Sequence, residues 1–246
     1  MDQTGYVLLS RMSAMLRATD VLATNMANAD TPAFRANRPV FATHLQQQRN
    51  VATPAGGQPV AYALDRATWR DGAGGPITST GNPLDVALNG PGFFAVETPR
   101  GERFTRAGRF TIGGEGRLVD MEGNAVLDSA NRPVTFAPND SRIEILGDGT
   151  IRTENGVLGK LRVVRFADEQ AIQAEGNRLY TTEQQPEVVA RPNVVQGSLE
   201  GSNVNSVLEM TRLTSDVRAF QMMAQFMETE GKRGSEALGR ILGHAA

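Results

Sequence analysis

Apolar positions at the two ends of the chain share one spacing. Leu9, Met12, Leu16, Thr19, Ala23 and Met26 lie 3, 4, 3, 4 and 3 residues apart, and Met210, Leu213, Val217, Phe220, Ala224 and Met227 repeat that pattern. Gly231, Gly234, Leu238 and Ile241 carry the second register onward. A 3,4 alternation is the period of a coiled-coil seam rather than of a free amphipathic helix. It predicts a helix from near Thr4 to near Asn28, roughly 37 Å long. A second helix is predicted to begin at Ser206, where Ser206 and Glu209 have the spacing of a capping box. Asp30-Thr31-Pro32 ends the first helix, because proline disfavours helix at the residue before it and donates no hydrogen bond.

Between the helices the period changes. Leu84, Val86 and Leu88 alternate with Asp85, Ala87 and Asn89, which is the pattern of a half-buried strand. Phe93-Phe94-Ala95-Val96, Arg103-Phe104-Thr105, Phe110 and Ile112, Leu118, Val126, Ile143 and Ile145, Ile151, Leu161 and Val163 follow, separated by turn signals. Gly147-Asp148-Gly149 and Asn155-Gly156 are hairpin signatures. The pattern predicts an antiparallel, mainly β body of the small barrel or sandwich kind, flanked by coiled-coil-forming helices, an α+β class. Four segments follow: an N-terminal helix over 1–32, an extended connection over 33–80 with a short strand at Val60–Leu64, a β-rich body over 81–198, and a C-terminal helix over 199–246 that pairs with the first.

The stripes have two readings. A core-facing side of a globular domain produces such spacing, and that is the commoner origin. Against it, the stripes sit at opposite ends of the chain and place Ala, Thr, Met and Gly where a core would hold large aliphatics. Two such helices alone make a narrow core, so the ends are expected to be loosely ordered in dilute monomer and to fold on assembly.

Composition narrows the partners. With 246 residues the chain can bury a substantial core. Hydrophobic residues at 40% and charged residues at 21% sit near globular averages. The formal net charge of −2, with no long run of one sign, gives nucleic acid no electrostatic footprint. No apolar stretch is long enough to span a membrane, so no membrane insertion is expected. Cysteine is absent, so neither disulfides nor thiolate chemistry enter. The N-terminus lacks the pattern of a cleaved signal peptide, which leaves a leaderless export route open.

Five segments resemble the bacterial flagellar rod and hook family. Thr24-Asn25-Met26-Ala27-Asn28-Ala29-Asp30-Thr31-Pro32-Ala33-Phe34-Arg35 is similar to the signature that closes that family's N-terminal helix. The segment from Leu84 to Val96 is similar to its LDVAIxGxGFFxV strand. Phe104-Thr105-Arg106-Ala107-Gly108-Arg109-Phe110 resembles YTRxGxF, and Gly116-Arg117-Leu118-Val119 resembles GxLV. Leu199-Glu200-Gly201-Ser202-Asn203-Val204-Asn205 resembles LExSNVN at the start of the C-terminal helix. They occur in family order over nearly the full length. Details lean toward the proximal-rod branch over the distal-rod branch. The sequence departs from the family at Thr24, where an asparagine is usual, and at Pro32-Ala33, which commonly ends in glycine.

The resemblance implies an axial structural subunit of the flagellar basal-body rod, in the periplasm, with no cofactor. Its terminal helices, through Leu9, Met12, Leu16, Ala23, Met26, Met210, Leu213, Val217, Phe220, Ala224 and Met227, would assemble into a hollow, torque-transmitting tube with copies of itself and other rod subunits. Export would run through the flagellar type III apparatus without a cleaved signal. Phe41 and Leu45 fit that family's export-gate pattern, and a simple hydrophobic anchor fits them equally. Asn25, Asn28 and Thr31 suit backbone hydrogen bonds where the helix unwinds, with Phe34 just beyond. Gly90 and Gly92 permit a tight turn before Phe93 and Phe94, whose simplest role is β-core packing. Asn203 and Asn205 either cap the second helix or bridge to a neighbouring subunit.

The case for catalysis is thin. The histidines, His44 and His244, have no metal-ligand spacing around them, and no nucleophile elbow, Walker loop or dinucleotide fingerprint is present. Gly113-Gly114-Glu115-Gly116 reads as a hairpin turn rather than a phosphate loop. Asp120 and Glu122 flank a turn as a solvated pair. A peptidoglycan-cleaving enzyme is the main enzymatic rival, and an adhesin or stalk protein the main structural one.

Overall fold

The computed structural model describes residues 3–46 and 60–243, with side-chain surroundings given for 7–40 and 68–236. No helix among these is long and apolar enough to cross a membrane. The chain divides into two compact units.

The first unit holds both terminal helices and a β ribbon. Helix α1 spans Gln3–Ala27 and helix α2 spans Ser206–Gly243. Between them in sequence, β1 (Asn37–Gln46) pairs antiparallel with β2 (Val60–Arg70). A register shift falls between Val40 and Phe41. The extended connection expected over 33–80 therefore contains two long strands. The strand expected at Val60–Leu64 lies within β2, and α1 lies along both strands.

The second unit is the β body, with residues 28–36 added to 71–204. Its short strand β3 (Ile77–Ser79) pairs with Ser198–Glu200, and β4 (Val86–Leu88) pairs with Val194–Gln196. The main sheet has nine strands centred on β5 (Phe93–Thr98) and β6 (Gly101–Thr105). It runs out on one side to Gln173–Gly176 and on the other to Thr111–Ile112, so it is open and not closed into a barrel. A separate three-stranded sheet is built from Glu144–Ile145, Thr150–Thr153 and Gly156–Lys160. The antiparallel body and the hairpins at Gly147-Asp148-Gly149 and Asn155-Gly156 are as the sequence predicts.

Consecutive residues of a strand point to opposite faces, and the Phe93-Phe94 pair uses this to seed two cores. Phe94 enters a cluster with Val86, Phe110, Leu118, Ile151 and Leu161, and packs edge-on against Phe110 at 5.3 Å between ring centres. Phe93 enters a second cluster with Phe104, Leu127, Phe166, Ile172 and Tyr180. Gly92 immediately before them has φ +134, and a Cβ there would meet a Val163 methyl at 2.9 Å. Both its conformation and its close approach require glycine.

Turns of the body are tied by carboxylates. Asp120 is buried rather than solvated, and it accepts from the Glu122 and Asn124 amides at 3.0 and 2.8 Å. Glu154 accepts from the backbone amides of Ser141 and Arg142, each at 2.8 Å, and these bonds, with one to its own amide, hold its carboxyl down from the ordinary 4.5 to about 2. A depressed folded value means the contribution is complete above the unfolded pKa and disappears as pH falls through the folded one. The stability gap between the native chain and Glu154→Gln is therefore expected to shrink from about pH 4.5 down to about 2. Thermal melts of both proteins across that range check it; a gap independent of pH would contradict the assignment.

Candidate assembly interface

Helix α1 carries two apolar sets on nearly opposite sides. Ala14, Val21 and Leu22 are buried, and the polar Asn25 is buried on the same side. At 3.6 residues per turn this set lies roughly 150° around the axis from the centre of the 3,4 stripe. In the stripe, Leu9 is 58% and Leu16 is 55% exposed, Ala23 is also exposed, and Met12 and Met26 are half-buried. The α1 stripe thus faces outward in the single chain, while the buried set faces its own α2 and ribbon. On α2, Leu213, Phe220, Ala224 and Met227 are half-buried, whereas Met210 at 57% and Val217 at 41% are exposed. Met222 and Phe226, outside the predicted stripe, are exposed as well. Leu238 and Ile241 lie outside the described side chains, as do Phe41, His44 and Leu45 on β1; His244 lies outside the described residues.

The register of α1 against α2 is fixed by a buried polar lock that the seam pattern does not announce. Glu209, on the first turn of α2, is fully buried. One carboxylate oxygen accepts from Arg38 at 2.6 Å and from Arg212 at 3.1 Å, and the other accepts from the Asn25 side chain at 3.3 Å. Asn25 also exchanges two hydrogen bonds with the backbone of Asn37, donating to its carbonyl and accepting from its amide, both at 2.9 Å. α1, the start of β1 and the start of α2 are joined through one asparagine and one glutamate. Asn25 therefore does more than cap the end of α1. Glu209 is a lock residue rather than half of a capping box. The cap is Asn205, one residue before Ser206; its side chain accepts from the Leu208 amide at 3.1 Å and its carbonyl from the Glu209 amide at 2.9 Å.

In the second unit the motif residues staple the body's margins. Thr31 donates to the Asn28 side chain and to its carbonyl, both at 3.2 Å, forming the turn after α1. Asn203 caps nothing. It accepts from the Ala36 amide at 2.7 Å, donates to the Ala73 carbonyl at 2.9 Å, and its own amide reaches the carbonyl of half-buried Phe34 at 3.2 Å. Two arginines carry more than the sequence indicated. Buried Arg106 pairs with Glu200 at 2.5 Å and donates to the carbonyls of Leu88 at 3.0 Å, Gly90 at 2.6 Å, and Gly92. Burial pulls its guanidinium below the ordinary value while Glu200 opposes that shift. Buried Arg35 pairs with Glu169 at 2.7 Å. Arg106 of the strand motif is thus the clamp on the Gly90–Gly92 turn.

Ala33, where the family commonly has glycine, is buried with φ +60. An alanine there carries a left-handed penalty of about 1 kcal/mol, which glycine removes at a similar entropic cost in the unfolded chain. Ala33→Gly is expected to leave the melting temperature nearly unchanged, and Ala33→Val to lower it clearly, because a β-branched side chain is still worse in that region.

This arrangement, long terminal helices locked at their roots with an apolar stripe left outside, is that of a subunit built to join others. Comparisons with known proteins give the class its name. Residues 6–35 match the family described as flagella basal body rod protein, residues 87–153 the flagellar hook protein FlgE/F/G D1 domain, and residues 195–238 the flagellar basal body rod FlgEFG protein C-terminal region. The chain is 35% identical to the flagellar basal-body rod protein FlgF of Caulobacter vibrioides, covering 98% of both chains, and 34% identical to FlgF of Mesorhizobium japonicum, covering 97% of both. It is 30% identical to the rod protein FlgG of Agrobacterium fabrum, over 91% of this chain and 94% of that one. The chain belongs to the flagellar basal-body rod protein family, and it is a structural subunit of the rod in the basal body.

Proposed function

We propose that the chain is a proximal-rod subunit that polymerises through its terminal helices, with the outward stripe of α1 as one half of the contact between copies. The observation that carries this is the exposure of Leu9, Leu16 and Ala23 on a helix whose other side is already packed. A helix apolar on two sides needs two neighbours. α2 supplies further outward apolar positions at Met210, Val217, Met222 and Phe226. Packing one copy's exposed stripe onto a different surface of the next is a heterologous contact, and such contacts propagate as open helical assemblies rather than closing as two-fold dimers. The resulting hollow rod would transmit torque and join other rod subunits. The higher identity to FlgF than to FlgG relatives supports the proximal position.

The subunit works without catalysis. The carboxylates of Asp120 and Glu122 are committed to structure: Asp120 holds its turn and Glu122 pairs with Arg178. Delivery through the flagellar export apparatus completes the reading, with Phe41 and Leu45 as its proposed recognition residues. Deleting the chain from its host tests the function. Basal bodies lacking rods, and motility restored by the native chain, support it; intact rods in the deletion strain, or hydrolysis of purified cell wall by the chain, would overturn it.

A further inference from the structure

The chain contains two Asn-Gly dipeptides, Asn89-Gly90 and Asn155-Gly156, and the structure treats them differently. Asn-Gly is the dipeptide most open to attack of a backbone nitrogen on its own preceding side chain, because glycine places no Cβ in the way. At 155–156 both partners are held. The Asn155 amide donates to Asp140 at 2.7 Å, and Gly156 is paired with Thr153 across the hairpin. At 89–90 neither is held. The Asn89 side chain makes no hydrogen bond among the described residues, and the Gly90 amide donates to none. Both dipeptides are exposed, with nothing within 4 Å of a Cβ placed at Gly90 or at Gly156, so the difference between them lies in the hydrogen bonds.

We propose that Asn89 is a deamidation site of this protein, modified in the folded chain well ahead of Asn155. The Gly90 nitrogen attacks Cγ of Asn89; the N–Cγ bond forms, the Cγ–Nδ2 bond breaks, and the nitrogen's proton leaves with the side-chain amine as ammonia. Water then opens the succinimide at either carbonyl, giving aspartate or isoaspartate. The net reaction is amide plus water to carboxylate plus ammonium, with no oxidant or reductant. The position makes this consequential. Asn89 lines a cleft of about 430 Å³ together with Arg35, Arg106, Glu169 and Glu200. Arg106 is held there by the carbonyls of Leu88, Gly90 and Gly92, on both sides of the modified bond. Isoaspartate inserts one extra backbone carbon between those carbonyls and pulls the cradle out of register. A buried guanidinium then loses acceptors, a costly change.

The test is ageing of the purified full chain at mildly alkaline pH, followed by trypsin and mass spectrometry. Cleavage at Arg70, Arg100, Arg152 and Lys160 puts the two sites in separate peptides. Asn82 shares a peptide with Asn89 but precedes Pro83, whose nitrogen has no proton to give, and fragment ions separate them. The expected result is conversion at Asn89 about tenfold faster than at Asn155, the rate equivalent of about 1.4 kcal/mol. The difference should vanish in denaturant, and aged native chain should melt lower than aged Asn89→Gln. Equal rates in the folded chain, faster conversion at Asn155, or a rate ratio unchanged by denaturant would overturn the proposal.

Discussion

Glu209→Ala is expected to destabilise the helical unit by about 3 kcal/mol, the lower end of the cost of removing one partner from a buried ion pair. The lower end applies because Arg38 and Arg212 keep side-chain exposures of 28% and 45% and regain water when the carboxylate goes. Asn25 has no such escape, being fully buried with one side-chain bond directed at Glu209. The chain's single tryptophan, Trp69, lies in β2 of the same unit, so its fluorescence during denaturation reads this unit separately from the β body. Asn25→Asp is expected to be worse than Asn25→Ala, since it sets a second carboxylate against the first in a buried site. An unfolding midpoint unmoved by Glu209→Ala would remove the lock from the account. The lock also explains how helices with so many small and flexible seam residues hold one register, since a single buried polar group commonly fixes register in coiled coils.

Leu16→Asp is expected to behave in the opposite way. Leu16 is 55% exposed in the single chain. A substitution at such a surface position usually shifts stability by no more than about 0.5 kcal/mol. In the assembly the same side chain would lie in a contact between copies, where an unpaired carboxylate is strongly unfavourable. The monomer should therefore melt as the native chain does while rods fail to form and motility is lost. Val21→Asp on the buried side serves as contrast, because it should unfold the helical unit itself. If Leu16→Asp assembled normally, the outward stripe would not be an interface.

Much of this molecule can be read from its residues, and the remainder has identifiable reasons. The 3,4 stripes place both helices, and the run Phe93-Phe94-Ala95-Val96 places a central strand, whose core on each face only the fold shows. What spacing cannot give is which neighbour a stripe meets. α1 carries Leu9, Met12 and Leu16 on one side and Ala14, Val21 and Leu22 on the other, and only the fold shows that the second set is used within the chain. Of the β1–β2 ribbon only the stretch Val60–Leu64 is legible as strand; the full length of both strands and their pairing come from the fold. The polar cross-links escape because their partners lie far apart in the chain. Arg106 and Glu200 are 94 residues apart, Arg35 and Glu169 are 134 apart, and Asn25 and Glu209 are 184 apart. Nothing in the local sequence of either partner names the other. Their only trace is that most of them sit in segments with family resemblance, where Asn25, Arg106, Asn203 and Glu200 could be noticed but not paired.

The central claim is that α1's outward stripe touches another copy in the rod. The chain has no cysteine, so one introduced at position 16 is unique. Cross-linking of Leu16→Cys in intact basal bodies with a heterobifunctional reagent that captures any neighbouring side chain, followed by mass spectrometry, reads that contact directly. Links from position 16 to a second rod subunit, absent in dilute monomer, are the expected result. Links confined to the same chain in assembled rods would contradict it.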